Sequence, residues 1–456
     1  MSIAEEIAKY VHSVGYSDID SETVQNAKRR IIDTVGCAIG AAKEPPIRIA
    51  MKTLQDTKGS YYSTILGTGR KVDPYSAAFV NGSMSRYFDY MDTYDSKEFS
   101  HPSDNIMPIM AVAEAEHKGG KDIILGTVLA YEIQSRLCDA ANLWKRGWDH
   151  VIYGLVSVSA AASRVMGLDV AQTTQAINIS LNSHLTMRQL RAGELSMWKA
   201  PAFSNSARNA IFSAMLARNG MTGPAPVFEG EMGFWKEVSG RFTIDFKKFG
   251  NRRNRFKLNE SALKYFPAEM RSQTAITAAL ELGGRIGSID QIAGVEIGTS
   301  EAGYKVIGRG KEKWDPKTKE TADHSLPYVV AAALMDHKVD ADTFKERRFR
   351  DRRTLQFMKR IKVREVPEFT RLFNMGGTTN PSDIRIKLGD GGILYEKVIY
   401  SRGHPENPMS DEEIEQKFYG LAKMQISEAK SGRILNKLWQ LERVGRAREL
   451  FGVMKW

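Results

Sequence analysis

Apolar residues recur every three to four positions through most of the N-terminal half of the chain, a pattern that predicts one amphipathic helix after another. The segment Ser21–Gly40 illustrates it, because Asp20 and Ser21 are suited to cap its first turn. Glycines and a proline separate the segments. The predicted helices are Ile3–Val14, Ser21–Gly40, Ile106–His117, Lys121–Leu143, Val151–Met166, Val170–Asn182 and Ser204–Asn219.

The pattern changes near Asn259, where helical segments begin to alternate with strand-like runs. Apolar and polar residues alternate with a period of two in Ile292–Gly298, Ile384–Leu388 and Leu394–Tyr400. Asp390-Gly391-Gly392 separates the last two runs and is typical of a hairpin turn.

After His404 the periodicity is helical again, in Ser410–Met424 and Ile434–Phe451. The sequence therefore predicts a mainly α fold with an α+β second domain. Residues 1–259 and 403–456 would together form a large all-helical domain. Residues 260–402 would form a smaller α+β lid domain.

Composition and charge narrow the classes of function. The chain has 456 residues, of which 42% are hydrophobic and 26% charged, with a net charge of +11. Most basic residues are interleaved with acidic ones, so the excess suits small anionic substrates as well as nucleic acid. A nucleic-acid module or a contiguous basic face with aromatics is not evident. The chain has only two cysteines, which favours a reducing cytoplasm. An apolar signal segment and a long apolar run are not evident, so we do not expect membrane insertion.

Several common site motifs are missing from the sequence. It contains neither a GxxxxGK[ST] phosphate loop nor a GxGxxG motif after a strand. It also lacks HExxH and GxSxG. If the protein is an enzyme, we therefore expect it to use its own side chains, without a metal or cofactor.

The stretch Arg86–Asn105 is the most polar one between two core-forming segments, and it includes Asp89, Thr93 and His101. Such a stretch lines a cleft or forms a solvated loop. Four further segments place charged or titratable residues beside apolar helix starts. These segments are GWDHVIYG with His150, TMRQLRAGELSMWK with Arg188, Arg191 and Lys199, LKYFPAEMRSQT with Lys264, Glu269 and Arg271, and ADHSLPY with His324 and Tyr328.

Each of these segments also has a purely structural interpretation. His150 could be a helix cap, or a neutral base whose pKa the helix dipole lowers. His324 and Tyr328 could be ordinary core residues, and Lys199 could lie along an aromatic surface.

Taken together, DYMDT…HPSDN, GWDHV, SMWK, FPAEMRSQT and DHSLPYVVAAAL resemble the MmgE/PrpD family, in order and spacing, over nearly the whole chain. The chain looks most like the 2-methylcitrate dehydratase branch. The resemblance implies a cofactor-free homodimer with its active site between a helical domain and a lid. Carried over by position, the implied site residues are Asp89, Thr93, His101, His150, Lys199, Lys264, Glu269 and Tyr328.

The resemblance implies a lyase that dehydrates 2-methylcitrate, and possibly citrate, to 2-methyl-cis-aconitate in propionate catabolism by the methylcitrate cycle. Alternatives within the family are a cis-aconitate decarboxylase and an iminodisuccinate-type epimerase. Decarboxylases of the family carry histidine where this chain has Glu269, which favours the dehydratase. Met91 and Arg271 depart from many dehydratases, so the exact substrate stays open. A non-catalytic relative is less consistent with the retained histidines and lysines.

The implied chemistry assigns roles to these residues. Removal of a proton beside a carboxylate needs cations to hold the developing charge, and Lys199, Lys264, Arg188 and Arg191 are the candidates. We expect His101 and His150 to share the acid and base roles, with Asp89 orienting one of them. Tyr328 could donate to the leaving hydroxyl, and Thr93 could contact substrate.

Glu269 would repel an anionic substrate unless it were protonated or paired. Lys264, five residues away in the sequence, is its expected partner.

Overall fold

The computed structural model describes residues 1–376 and 378–456. Its N-terminal half is built from helices, as the periodicity predicts. Ser2 caps α1 through a capping box, and the Asp20 side chain accepts a hydrogen bond from the Thr23 amide at the start of α2. The helices are α1 (Ile3–Ser13), α2 (Ser21–Gly40), α3 (Pro45–Lys52), α4 (Pro74–Arg86), α5 (Ile106–Ala115), α6 (Gly120–Ala140), α7 (Tyr153–Met166), α8 (Val170–Ser183) and α9 (Ala202–Arg218).

The C-terminal segment returns to this helical part as α18 (Asp411–Ala422), α19 (Glu428–Trp439) and α20 (Ala447–Val453). Helix α18 packs along α2. A Cβ atom on Gly36 of α2 would lie 3.3 Å from the Phe418 backbone, so a larger residue would push the two helices apart. Residues from both ends of the chain, such as Ile31 and Phe418, share one hydrophobic core.

The α+β part has a second hydrophobic core around a four-stranded sheet. The strand order is β7-β6-β8-β9, in which β6 runs parallel to β7 and antiparallel to β8. Ile297 of β6 lies opposite Ile384 of β8, and both are buried. The strands are β6 (Ile292–Thr299), β7 (Ile361–Glu365), β8 (Ser382–Leu388) and β9 (Ile393–Val398).

Helices α10 and α14 pack against each other and against this sheet. Gly391, with φ of +93°, lies in the turn of the predicted β8–β9 hairpin. The helices of this part are α10 (Gln273–Gly283), α11 (Glu301–Gly303), α12 (Lys311–Trp314), α13 (Lys319–Ala322), α14 (Leu326–Asp336), α15 (Glu346–Phe349), α16 (Arg352–Met358) and α17 (Pro367–Asn374).

Short strands join parts of the chain that are distant in sequence. β1 (Ser63–Thr64) pairs with β2 (Lys71–Val72). In a second small sheet, β3 (Asp92–Asp95) pairs with β4 (Phe99–Ser100) on one side and with β5 (Ala262–Leu263) on the other. This sheet places the polar stretch beside the chain that carries Lys264.

The predicted fold class, a large helical domain with a smaller α+β domain, is confirmed. The domain limits 1–259, 260–402 and 403–456 stay a proposal. Leu263 packs in the helical core and Phe266 in the α+β core. Among the described residues, no helix combines the length and the apolar character that a bilayer crossing needs.

Candidate active site

A nearly closed cavity of about 30 Å³ lies between loops of the helical part and loops of the α+β part. Its wall is formed by residues of the polar stretch Arg86–Asn105, of the segment after α8 and of the turn before α10. It is lined by Arg86, Asp89, Phe99, His101, Arg188, Arg191, Leu195, Lys264, Glu269, Met270, Arg271, Val306, Lys313 and His324. Six of the predicted site residues are therefore brought together: Asp89, His101, Arg188, Arg191, Lys264 and Glu269.

Asp89 is the buried acidic centre of this cavity. It lies after α4 with φ of +52°, a conformation that aspartate tolerates better than most residues. Its carboxylate pairs with Arg86, lies 2.7 Å from Lys264 Nζ and lies 3.3 Å from Lys199 Nζ. Although burial opposes ionisation, these three cations hold the pKa of Asp89 well below its ordinary value. Asp89 thus holds the lysines in place.

The Lys199 ammonium lies among three groups that could otherwise bind a metal ion. Lys199 Nζ is 3.0 Å from Asp323 Oδ1, 3.3 Å from Asp89 Oδ2 and 3.3 Å from His324 Nδ1. These three groups form the candidate metal cluster in the part of the chain that the structure describes. Burial, with help from Lys199, lowers the pKa of His324 to about 4. The lysine occupies the position that a cation would take, so this donor set does not fit a resident metal.

His101 presents a neutral imidazole to the cavity. Its Nδ1 lies 2.7 Å from the Asp92 carbonyl oxygen and 3.3 Å from Thr93 Oγ1. Because a carbonyl can only accept, we infer that Nδ1 carries the proton and that Nε2 carries the free lone pair. Burial, followed by the positive charges of Arg86 and Lys264, lowers the pKa of His101 well below 6.5. This is the form that a general base requires.

His150 lies behind His101 and is not among the residues that line the cavity. Its ring centroid is 5.5 Å from that of His101 and 4.8 Å from that of Phe99, and its side chain is fully buried. Burial is the main cause that lowers its pKa. The structure therefore brings the two predicted histidines together, but it exposes only His101 to the cavity.

Asp149, which precedes His150, orients the two arginines of the following segment. Its Oδ2 accepts from Arg188 Nη1 at 3.1 Å and from Arg191 Nε at 2.8 Å. Burial opposes ionisation, yet Arg191 and the other neighbouring groups lower the pKa of Asp149. The carboxylate is fully buried, so the arginines reach the cavity from a fixed support.

The expected pairing of Glu269 with Lys264 is not observed. Lys264 is directed to Asp89, whereas Glu269 Oε2 accepts from the Arg271 backbone amide at 2.7 Å and Oε1 pairs with its guanidinium. The reason is local geometry. Glu269 caps the short 3₁₀ turn Met270–Ser272, and this turn brings the Arg271 side chain back to the Glu269 carboxylate.

Tyr328 is not brought to the cavity. Its hydroxyl donates to the Thr343 carbonyl oxygen, and its ring packs against Phe344 inside the α+β core. The side chain is fully buried on the core side of α14. Its neighbour His324, from the same motif, lies at the cavity instead.

Several cavity residues were missed by the sequence-based selection. His324 and Arg271 lie in two of the segments described in the sequence analysis. Their place in those segments was the sequence feature that could have identified them as cavity residues. Lys313 lies in the charged run KEKW, which is typical of a solvated face, and the sequence gives no reason to choose it.

The cavity wall carries a positive excess. Arg86, Arg188, Arg191, Lys264, Arg271 and Lys313 contribute six positive charges, and Asp89 and Glu269 contribute two negative ones. With neutral histidines, the lining has a formal charge of +4. Such a site favours a small ligand with several carboxylates.

Comparison with known proteins agrees with this architecture. Residues 5–247 match the MmgE/PrpD N-terminal domain, and residues 266–441 match the MmgE/PrpD C-terminal domain. The chain is 27% identical over 424 residues to the mitochondrial 2-methylcitrate dehydratase of Yarrowia lipolytica, covering 88% of this chain and 80% of that protein. The 2-methylcitrate dehydratase of Cupriavidus necator is 28% identical over 402 residues, covering 83% and 81%.

A relative with a different named activity is also similar. The cis-aconitate decarboxylase of Homo sapiens is 25% identical over 442 residues, covering 93% of this chain and 89% of that protein. Because the two domain models together span nearly the whole sequence, the chain belongs to the MmgE/PrpD family.

Proposed function

We propose that the protein is a hydro-lyase that dehydrates a small tricarboxylate, with 2-methylcitrate as the first candidate and 2-methyl-cis-aconitate as its product. The observation that carries the proposal is the neutral His101 imidazole at a cavity whose lining has a formal charge of +4. The relatives named 2-methylcitrate dehydratase support the choice of substrate.

His101 is the proposed general base. The proton on Nδ1 is bonded to the Asp92 carbonyl, so Nε2 is the nitrogen that can accept the substrate proton. The C–H bond that breaks lies next to a carboxylate, and its electron pair moves towards that carboxylate as the proton leaves. The pair then forms the C=C bond while the C–O bond to the hydroxyl breaks with its electrons on oxygen. Thr93, beside Nδ1, helps to orient the ring.

Cations would stabilise the charge that develops on the carboxylate oxygens. The lysines and arginines of the wall are already ordered by Asp89 and Asp149, so they need little rearrangement when charge builds up. Lys264 is held by Asp89, which also pairs with Lys199 outside the cavity lining, and Arg188 and Arg191 are held by Asp149.

Lys264 is the proposed proton donor to the leaving hydroxyl, which departs as water. Burial lowers the pKa of its ammonium even though Asp89 opposes the shift, so it is a stronger acid than a solvated lysine. The base and the acid return to their starting forms by proton exchange with water. In this scheme His150 packs behind His101 and positions it.

A decarboxylase acting on cis-aconitate is the second candidate, because a relative with that name covers 93% of the chain. Both reactions need cations around a polycarboxylate. They differ in their products, since decarboxylation releases CO₂ and dehydration releases water. The iminodisuccinate-type epimerase is a third possibility for the same cavity.

Product analysis separates these candidates. The purified protein is incubated separately with 2-methylcitrate, citrate and cis-aconitate, and each mixture is followed by proton NMR and by CO₂ detection. The proposal expects vinylic or conjugated methyl signals from 2-methylcitrate without CO₂. Release of CO₂ from cis-aconitate, with no change in 2-methylcitrate, would replace the dehydratase with the decarboxylase.

We also propose a homodimer. Exposed apolar side chains occur on α9 and on the segment that carries Arg188 and Lys199, and a second copy would cover them. These side chains are Leu185, Met187, Met197, Trp198 and Phe212. Light scattering after size-exclusion chromatography measures the mass directly.

Two free, buried cysteines are compatible with a reducing compartment, and we propose the cytoplasm.

A further inference from the structure

Arg271 lies at the junction between the two parts of the molecule. Its guanidinium carbon is 5.1 Å from the ring centroid of Phe99 in the helical part and 5.4 Å from that of Phe373 in α17. The side chain is 7% exposed and lines the cavity. The two rings hold a charged group in one orientation, which is typical of a binding residue rather than a solvated one.

The hydrogen bonds of Arg271 leave one edge of the guanidinium unused. Nη1 bonds Glu269 Oε1. Nη2 is 3.8 Å from Asp95 Oδ1, beyond hydrogen-bonding distance. Nε is buried and has no hydrogen-bond partner among residues 1–376 and 378–456. Nε and Nη2 form the edge with which arginine binds a carboxylate through two parallel hydrogen bonds.

An unsatisfied buried donor is costly, so this edge calls for an acceptor. The carboxylate that faces this edge is that of Asp95. Its Oδ2 accepts from the Asn380 side chain at 3.0 Å, and its Oδ1, 3.8 Å from Nη2, has no hydrogen-bond partner in the described part of the chain, so at that distance the edge stays without a hydrogen bond. The other cavity arginines belong to the helical part, where Asp149 holds Arg188 and Arg191 and Asp89 holds Arg86. Arg271 is therefore the guanidinium that the α+β part contributes.

We propose that the Nε–Nη2 edge of Arg271 binds one carboxylate of the ligand and thereby selects tricarboxylates over dicarboxylates. This inference rests on the proposed function, because it specifies the substrate class of the same cavity. Glu269 fixes Nη1 and the aromatic rings fix the plane, while the remaining ligand carboxylates face Arg188, Arg191 and Lys264.

A pair of unreactive ligands tests the subsite without turnover. Propane-1,2,3-tricarboxylate and glutarate share a five-carbon chain with two terminal carboxylates, and only the former has a carboxylate in the middle. Neither has a hydroxyl, so neither can be dehydrated. Isothermal titration calorimetry gives the ratio of their dissociation constants for the wild type, for Arg271→Gln and for Arg271→Lys.

The wild type should bind the tricarboxylate at least about tenfold more tightly than glutarate, the size expected for a charge-assisted hydrogen bond. Arg271→Gln should bring the two constants to within about threefold of each other. Arg271→Lys should give an intermediate ratio, because an ammonium keeps the charge but not the two-donor edge. Arg285→Gln, at an exposed arginine of the α+β part, is the matched control and should keep the wild-type ratio.

Loss of Arg271 leaves Glu269 buried without its partner, so the double variant Glu269→Gln/Arg271→Gln provides a folded comparison if the single variant unfolds. It should also lose the preference. Equal affinity of the wild type for both ligands, or an unchanged ratio in the Arg271 variants, would overturn the subsite. An Arg271-dependent preference in a protein that leaves 2-methylcitrate unchanged would uphold the subsite and overturn the proposed reaction.

Discussion

At the scale of single residues, the imidazole of His101 has the largest part in the proposed reaction. Replacing it with alanine removes the neutral imidazole whose Nδ1 is held by the Asp92 carbonyl at the cavity wall. We expect His101→Ala to lower kcat by about 10²- to 10⁴-fold, the usual contribution of a general base. Steady-state rates with 2-methylcitrate, together with circular dichroism of the variant, measure this effect.

His184→Ala is the matched control, because His184 is an exposed histidine that does not line the cavity. It should retain wild-type turnover. A folded His101→Ala variant that turns over at the wild-type rate would show that another group removes the proton.

The pH dependence of kcat/KM follows from the same residue. The base form of His101 is lost as pH falls through its pKa in the folded protein, which burial places well below 6.5. Activity should therefore stay constant from about pH 8 to about pH 6.5 and decline only at lower pH. At the alkaline end, the lowered pKa of Lys264 predicts a decline that begins below its ordinary value of 10.5. An acid limb with its midpoint at or above pH 6.5 would contradict the assignment to His101.

Sequence motifs identified residues better than they identified contacts. Asp89, His101 and Lys264 were predictable because they lie in motifs of a known family, and all three reach the cavity. The direction of a side chain is set by its element, which explains Tyr328: it faces the core from α14, while His324 precedes that helix and faces the cavity. The partner of Glu269 depended on a 3₁₀ turn that the sequence pattern does not reveal.

At the scale of elements, the periodicity of the sequence predicted the helices and strands that depend on residues close together in the chain. Helix α2 has its predicted limits, and the predicted hairpin corresponds to β8 and β9. Strand β7 was not predicted, although Ile361 and Val363 alternate with basic residues in the same period of two as the predicted strands. The β3–β5 pairing was not predicted either, since it joins two-residue stretches that are far apart in the sequence.

Helix α18 also connects the C-terminal segment to the site. Lys417 Nζ donates to the carbonyl oxygens of Tyr90, at 2.6 Å, and Lys264, at 2.7 Å, and pairs with Asp33 at 2.6 Å. It therefore holds together the two chain segments that carry Asp89 and Lys264. We infer that Lys417 is a positioning residue.

Lys417→Met should lower kcat/KM by at least about tenfold, and it should lower the free energy of unfolding by about 3–5 kcal/mol because Asp33 is left buried and unpaired. Adding Asp33→Asn removes that lone charge and should restore part of the stability but not the activity. Lys423→Met, at an exposed lysine after α18, is the control. Chemical denaturation and steady-state kinetics give both values. Full activity in a folded Lys417→Met variant would exclude the positioning role.

At the scale of the whole molecule, the change of periodicity near Asn259 predicted a mainly helical fold with an α+β part, and the two hydrophobic cores agree with it. The family resemblance implied a site between the two parts, but its closed form was not predictable, because it depends on how segments far apart in the sequence meet. Its volume of about 30 Å³ suits one or two water molecules and is too small for a tricarboxylate. The walls must therefore separate before a ligand can bind.

Ligand association should show this opening step. In stopped-flow experiments with propane-1,2,3-tricarboxylate, the fluorescence of Trp198, which adjoins Lys199, can report binding. We expect the observed rate constant to level off at high ligand concentration, where opening becomes limiting. A rate constant that rises linearly with ligand up to the diffusion limit would mean that the cavity is open in solution.

The most direct test of the central claim is the ultraviolet absorbance of EDTA-treated protein mixed with 2-methylcitrate. The Lys199 ammonium lies between the groups that could bind a metal, and the proposed steps use side chains alone. We therefore expect a steady rise in the absorbance of a conjugated unsaturated acid. The same treatment of His101→Ala should give almost no rise. Absence of any rise with well-folded wild-type protein would contradict the dehydratase, and a rise that appears only after a metal ion is restored would contradict the mechanism.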